Sequence, residues 1–355
     1  MSEHPALSRD PLTAVVVSAA PILLESRYRL LIGACVDLRR SRRGRWLLGA
    51  ATGVVTLVLA ALAARHFAVM SWPLSSRHPA LLVAAGFLLV LAQALKAFGW
   101  GRLFTASERP TTLALAAGNG GAALVGVLLP GRFDDAMRVA VVRRYPGCPA
   151  GVRVLCLSLV MLGLIDSVAI APLALAGAVL PNAGTGMRAA LALVAAAGVV
   201  AAILIWKLPR LAASRRAVRF RLGRWVSPRT TSLRPASEAW ALVSACWLVR
   251  AVAFFLLLGA FGVGYSVPVA LLFLCAGAAA AALPVGLAGA ATQMGAGGAA
   301  LVAAGVEASR AVHAAVSIGV LGVITGTAVL VAVVVWRSAL SLFTPSLRTS
   351  GARAS

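Results

Sequence analysis

Residues Leu128–Arg138, LLPGRFDDAMR, set two adjacent carboxylates and two arginines directly behind a long apolar run, in a chain with only ten acidic residues. Guanidinium forks match phosphate oxygens, and paired carboxylates suit a hard cation. Pro130 and Gly131 end the apolar run, and the residues after them read as a new helix. Asp134 and Asp135 fall in its first turn, where carboxylates suit the free N–H groups and the positive end of the dipole. Arg138 lies one turn on from Asp134, so the two can pair along one helix face. The plain alternative is a capped helix leaving a membrane, with its arginines at the head groups. Three further polar residues sit inside apolar runs: Asp166, Arg250 and Gln293. A carboxylate at mid-span costs several kcal/mol unless paired or wetted, which makes Asp166 a functional candidate. Arg250, the only arginine well inside a span, could neutralise it; otherwise Asp166 serves as structural partner to a basic group on another helix.

The elements that must position these residues are set by composition. Hydrophobic residues make up 61% of the 355, charged residues 12%, and mean hydropathy is +0.93. A soluble domain of this size is closer to half apolar and a quarter charged. Several apolar runs are long enough to cross a hydrocarbon core as helices, and none alternates as barrel strands do. The fold class is all-α: a polytopic helical membrane protein with about seven or eight transmembrane helices and one or two re-entrant or broken segments. Net charge is +23, carried by 31 arginines and two lysines. The charge clusters between apolar runs, where it orients spans and meets anionic head groups, and this argues against nucleic acid. The five cysteines form no CxxC pair and have no histidine cluster beside them, so neither a disulfide framework nor a metal site is indicated. No cofactor motif is evident.

Residues 1–45 lack the basic start and longer apolar core of a secretory signal and read as a cytoplasmic basic lead-in. Seven arginines between Arg27 and Arg45 precede the first span, Trp46–Ala64, and place the N-terminus in the cytoplasm. Pro79–Trp100 returns inward, with Lys96 near enough to its inner end to snorkel. Thr111–Leu129 is apolar but small: Gly118, Ala122 and Gly126 share a face and permit close packing. Basic residues flank it on both sides, so a re-entrant hairpin is the preferred reading, allowed where protein or a cavity covers it. Val154–Leu180 and Met187–Trp206 are full spans. The loop 207–235 carries nine basic residues and no acid, and reads as cytoplasmic. Trp240–Phe261, Pro268–Leu283 and Val312–Trp336 are further spans, and 337–355 is a basic tail. Between the last two lies a glycine-rich segment, near 285–304, that reads as broken or re-entrant. A cytoplasmic tail needs an even number of crossings, so with seven full spans this segment is expected to cross. No clear internal sequence repeat is evident, so the membrane domain is taken as 46–336 undivided.

The order of these features resembles the lysylphosphatidylglycerol-synthase transmembrane family, the flippase-like integral membrane proteins, from about residue 46 to 336. LLPGRFDDAMR is similar to that family's Pro-Gly-Arg-x-Gly-Glu-x-x-Arg pattern: Pro130, Gly131, Arg132 and Arg138 keep their types, while Asp134 and Asp135 stand where Gly and Glu are usual. Asp166 matches the aspartate of a Glu-Arg-x-x-Asp motif, with Leu162 and Gly163 in place of Glu and Arg. The late glycine segment resembles a Pro-Gly-Gly-x-Gly-x-x-Glu element without its glutamate, for which Gln293 is the nearby polar substitute. The resemblance implies the flippase-like portion alone, since the chain ends some twenty residues past the last span and the soluble synthase domain is absent.

The expected function is therefore binding and translocation of a phospholipid or polyprenyl-linked lipid in a bacterial-type inner membrane. Arg132 and Arg138 would hold the phosphate with help from Arg143 and Arg144, and Asp135 would orient them. The alternative is a non-transporting membrane subunit, partnered by other membrane proteins, that supports envelope lipid or glycan synthesis. A metal-dependent prenyltransferase is a weaker third, because it needs a second acidic cluster and Asp166, Glu238 and Glu307 are solitary. No catalytic residue is assigned.

Overall fold

The structure is a computed structural model that describes residues 74, 76, 78–128, 133–179, 185–213, 234–282 and 289–343. The expected first span Trp46–Ala64, the tail from 344, most of the basic loop 207–235, and Pro130, Gly131 and Arg132 lie outside these. The described residues form nine helices: α1 Pro79–Gly101, α2 Thr112–Leu128, α3 Phe133–Arg144, α4 Val152–Val179, α5 Thr185–Ala213, α6 Arg234–Ala260, α7 Val267–Ala282, α8 Gly289–Ala303 and α9 Ala308–Phe343. Five of them, α1, α4, α5, α6 and α9, are long and apolar enough to cross a membrane. Large apolar side chains project from them, Phe87, Val179 and Leu193 each more than 70% exposed, as lipid-facing surfaces require. The chain is a multi-pass helical membrane protein.

Local chemistry sets several helix ends. Proline opens α1, where its missing N–H is no loss. The Thr111 hydroxyl accepts from the Ala114 amide at 3.3 Å and caps α2. In α3, Asp134 and Asp135 occupy the first turn and Arg143 and Arg144 the last, matching both poles of the dipole.

Two short helical pairs stand apart from the long spans. α2 folds back on α3: a Cβ at Gly118 would meet Val142, and one at Gly121 would meet Val141 and Met137. The GNGG stretch does not interrupt α2. Gly120 instead lets the helix close on α9, where a Cβ would lie 2.5 Å from the Gly326 carbonyl oxygen. The second pair takes in the expected span Pro268–Leu283 and the glycine segment after it. The expected span Pro268–Leu283 corresponds to α7, whose 16 described residues reach about 24 Å at 1.5 Å per residue, against a core of about 30 Å. The glycine segment forms α8, which packs back on α7, with Gly297 against the Phe273 ring and Gly277 facing the Gln293 carbonyl. In each pair, residues nearly equidistant from the intervening segment meet.

Burial falls into two clusters. One joins Trp100, Leu115, Val142, Leu155, Ile165, Val243 and Trp247; the other joins Ala85, Leu257, Phe261, Phe273, Leu301 and Ile318. α1 and α6 run through both, antiparallel. Ser76 Oγ donates to the Ala260 carbonyl at 2.8 Å at one end, and Arg102 pairs with Glu238 at 3.3 Å at the other.

Candidate functional site

Three groups of charged side chains stand out among the described residues. The first is a charged cluster where α1, α4 and α6 meet. Asp166, in the middle of α4, takes Lys96 Nζ on Oδ2 at 2.7 Å and the Trp247 indole N–H on Oδ1 at 3.0 Å. Both charged side chains are largely enclosed, Lys96 at 12% and Asp166 at 20% exposure. Arg250, one turn beyond Trp247, lays its guanidinium 5.3 Å from that ring's centroid, within cation–π range. The partner of Asp166 is thus Lys96. Lys96 does not snorkel, because a carboxylate lies within its reach on the protein side. Arg250 reaches Asp166 only through the shared indole. Its i,i+3 offset from Trp247 sets it over the ring face while the ring edge points at the carboxylate. Lys96 and Trp247 belong to this site although sequence reasoning missed them. The signal was there: a second buried charge, of opposite sign, in a neighbouring apolar run.

The second place is the start of α3. Arg138 pairs with Asp135 through Nη1 and with Asp134 through Nη2, the latter at 3.5 Å. The contact expected between Asp134 and Arg138 is present, and Asp135 shares it. Two carboxylates on one guanidinium leave this trio with a net negative charge. Arg138 Nε stays buried without a hydrogen-bond partner.

The third is a cleft of about 360 Å³ where the end of α3 meets the end of α9. Ala117, Val141 and Val333 form apolar wall, while Arg144, Tyr145 and Arg337 stand at it as polar groups. Arg337 lies with its guanidinium carbon 4.8 Å from the Tyr145 ring centroid. Arg143, adjacent in sequence, turns away and donates to the Ala150 carbonyl at 3.2 Å. Arg337 was legible only as one charge of a basic tail, since its approach to α3 depends on how far α9 extends.

The three places lie on different helix junctions. Gln293 lies on α8, half-buried, with its backbone carbonyl facing Gly277. Asn119, on α2, is 3% exposed and neither of its amide atoms has a hydrogen-bond partner. Among the described residues no group of three or more His, Cys, Asp or Glu side chains is placed to hold a metal ion, and Cys148, Cys156, Cys246 and Cys275 are free thiols. No protein-family model matches the chain, and no curated protein or solved structure matches it either.

Proposed function

We propose that the chain is an integral membrane protein that binds and translocates a lipid bearing a phosphate, phospholipid or polyprenyl-linked. The observation that carries this is the cleft between α3 and α9, which joins an apolar wall of Ala117, Val141 and Val333 to the guanidinium groups of Arg144 and Arg337. An amphiphile with an anionic head and a hydrocarbon tail has the same division of chemistry. The resemblance of LLPGRFDDAMR to the flippase-like family pattern agrees with this. On this reading the phosphate falls to Arg144 and Arg337, since both terminal nitrogens of Arg138 are taken by Asp134 and Asp135. Asp134 and Asp135 fix Arg138, and the α2–α3 pair is a re-entrant hairpin that forms one wall of the lipid's path. The N-terminus and tail are cytoplasmic, and the membrane is a bacterial-type inner membrane.

The test is lipid scrambling in proteoliposomes containing labelled phosphatidylglycerol or a labelled polyprenyl phosphate. The wild-type chain is expected to move at least one of them faster than empty liposomes. Arg144→Ala with Arg337→Ala is expected to slow that rate tenfold or more, since hydrogen bonds to charged groups contribute about 1.5–3 kcal/mol each. Rates equal to empty liposomes for every lipid would remove the reading.

A further inference from the structure

Eight of the nine described helices divide into two sets of four with one order: a long helix, a folded-back pair of short helices, then another long helix. The first set is α1, α2–α3 and α4; the second is α6, α7–α8 and α9; α5 stands between them. Corresponding helices begin at Pro79 and Arg234, Thr112 and Val267, Phe133 and Gly289, and Val152 and Ala308, each pair 155 or 156 positions apart. In sequence the two halves of each pair are joined by Leu-Pro-Gly in the first set and Leu-Pro-Val-Gly in the second.

Packing obeys the same correspondence. α4 meets α7 where Gly177 faces Leu271, and its counterpart α9 meets α2 where Gly326 faces Ala123 and Gly120 faces Leu330. α4 packs on α6 as α9 packs on α1, and the two leading helices pack on each other. Exchanging the two sets maps each of these contacts onto another, although α2 on α8 has no counterpart in α7 on α3. The sense of the exchange is fixed by α1 and α6, which are antiparallel: Ser76 reaches the end of α6 at Ala260, and Arg102 reaches its start at Glu238. One set is therefore upside down relative to the other. The far ends agree, since Phe261 meets His313 edge to face at the start of α9 and Tyr145 meets Arg337 near its end.

We propose that the described helices are an inverted-topology duplication, with the α2–α3 hairpin entering from the cytoplasmic face and the α7–α8 hairpin from the opposite face. Charge orients it. Arg102, Arg109, Arg143, Arg144 and Arg153 flank the first hairpin, whereas over the matching stretches the second is flanked by Arg310 alone. An excess of basic residues marks cytoplasmic ends. Inverted repeats with interrupted helices are the architecture by which carriers open to each side in turn. Combined with the lipid reading, on which this last step alone rests, each hairpin gates one side of a path.

The experiment is thiol labelling of the full chain with its native cysteines replaced by serine and one cysteine returned at Ser107, Pro149, Ser266 or Glu307. A membrane-impermeant maleimide is applied to intact cells and to inside-out vesicles, with labelling after denaturation giving the total for each variant. Ser107→Cys and Pro149→Cys are expected to react only in the vesicles, Ser266→Cys and Glu307→Cys only in the cells, with at least a tenfold difference. Reaction of all four from one side, or the reverse distribution, overturns the proposal. These labels read out whether or not any lipid moves, so a failed scrambling assay leaves this result standing, and the converse holds.

Discussion

Lys96 Nζ lies 2.7 Å from Asp166 Oδ2, binding α1 to α4 across 70 residues of sequence. Taking charges out of water is expensive, and removing one partner of a buried pair leaves the other uncompensated, at a cost of about 3–5 kcal/mol. Lys96→Met and Asp166→Leu are each expected to lower the melting temperature and the yield of monodisperse protein. The double substitution is expected to recover most of the loss. Melting followed by size-exclusion fluorescence checks this; a double variant as unstable as the worse single would show that the pair is not acting as a pair.

Trp247 offers its edge to Asp166 and its face to Arg250, and the two uses can be separated. Trp247→Phe keeps a ring for the guanidinium but loses the N–H, at a cost of about 1.5–3 kcal/mol for a hydrogen bond to a charged group. Trp247→Leu loses both, adding about 0.5–2 kcal/mol. Melting temperatures should therefore fall in the order wild type, Phe, Leu. Equal values for the two variants would mean that neither Arg250 nor Lys96, whose Nζ lies 6.0 Å from the ring centroid, draws anything from the ring.

The α2–α9 crossing depends on glycine. A Cβ at Gly326 would come within 2.4 Å of Ala123 Cβ, and one at Gly120 within 2.5 Å of a backbone oxygen. Gly120→Ala and Gly326→Ala should each force the helices apart at a cost of about 1–3 kcal/mol, the range for overpacking. Gly86→Ala, where a Cβ meets nothing within 4 Å, should leave melting unchanged. A Gly120 variant as stable as the Gly86 control would contradict the packing.

The fully buried Trp100 donates its indole N–H to Ser158 Oγ at 2.9 Å, and Ser158 donates onward to the Leu155 carbonyl. Ser158→Ala strands that N–H, with an expected loss of about 1–3 kcal/mol. In a Trp100→Phe background the same substitution should cost markedly less. Equal costs in both backgrounds would place the effect elsewhere.

Much of the helical layout is readable from apolar runs alone: Pro79–Trp100 and Trp240–Phe261 differ from α1 and α6 by a few terminal residues. Less is readable where length and partner decide. Hydropathy cannot distinguish the 16 apolar residues of α7 from a short span, because folding back on α8 is a tertiary event driven by Gly297 meeting Phe273. Partner choice for Asp166 depends on which helices touch and at what rotation, and only the packing of α1 against α4 selects Lys96 over Arg250. The repeat of four helices hides for a related reason. Leucine, alanine and valine substitute freely on lipid-facing surfaces, so residue identities drift while helix starts keep their spacing.

α9 runs 36 residues without a proline, about 54 Å at 1.5 Å per residue, so several turns of it stand proud of the hydrocarbon. Along that one stiff rod lie Met294 at Gly319, Gly120 at Gly326 and Tyr145 at Arg337. A displacement of the overhanging turns near Arg337 therefore acts on both folded-back pairs at once, through one continuous helix.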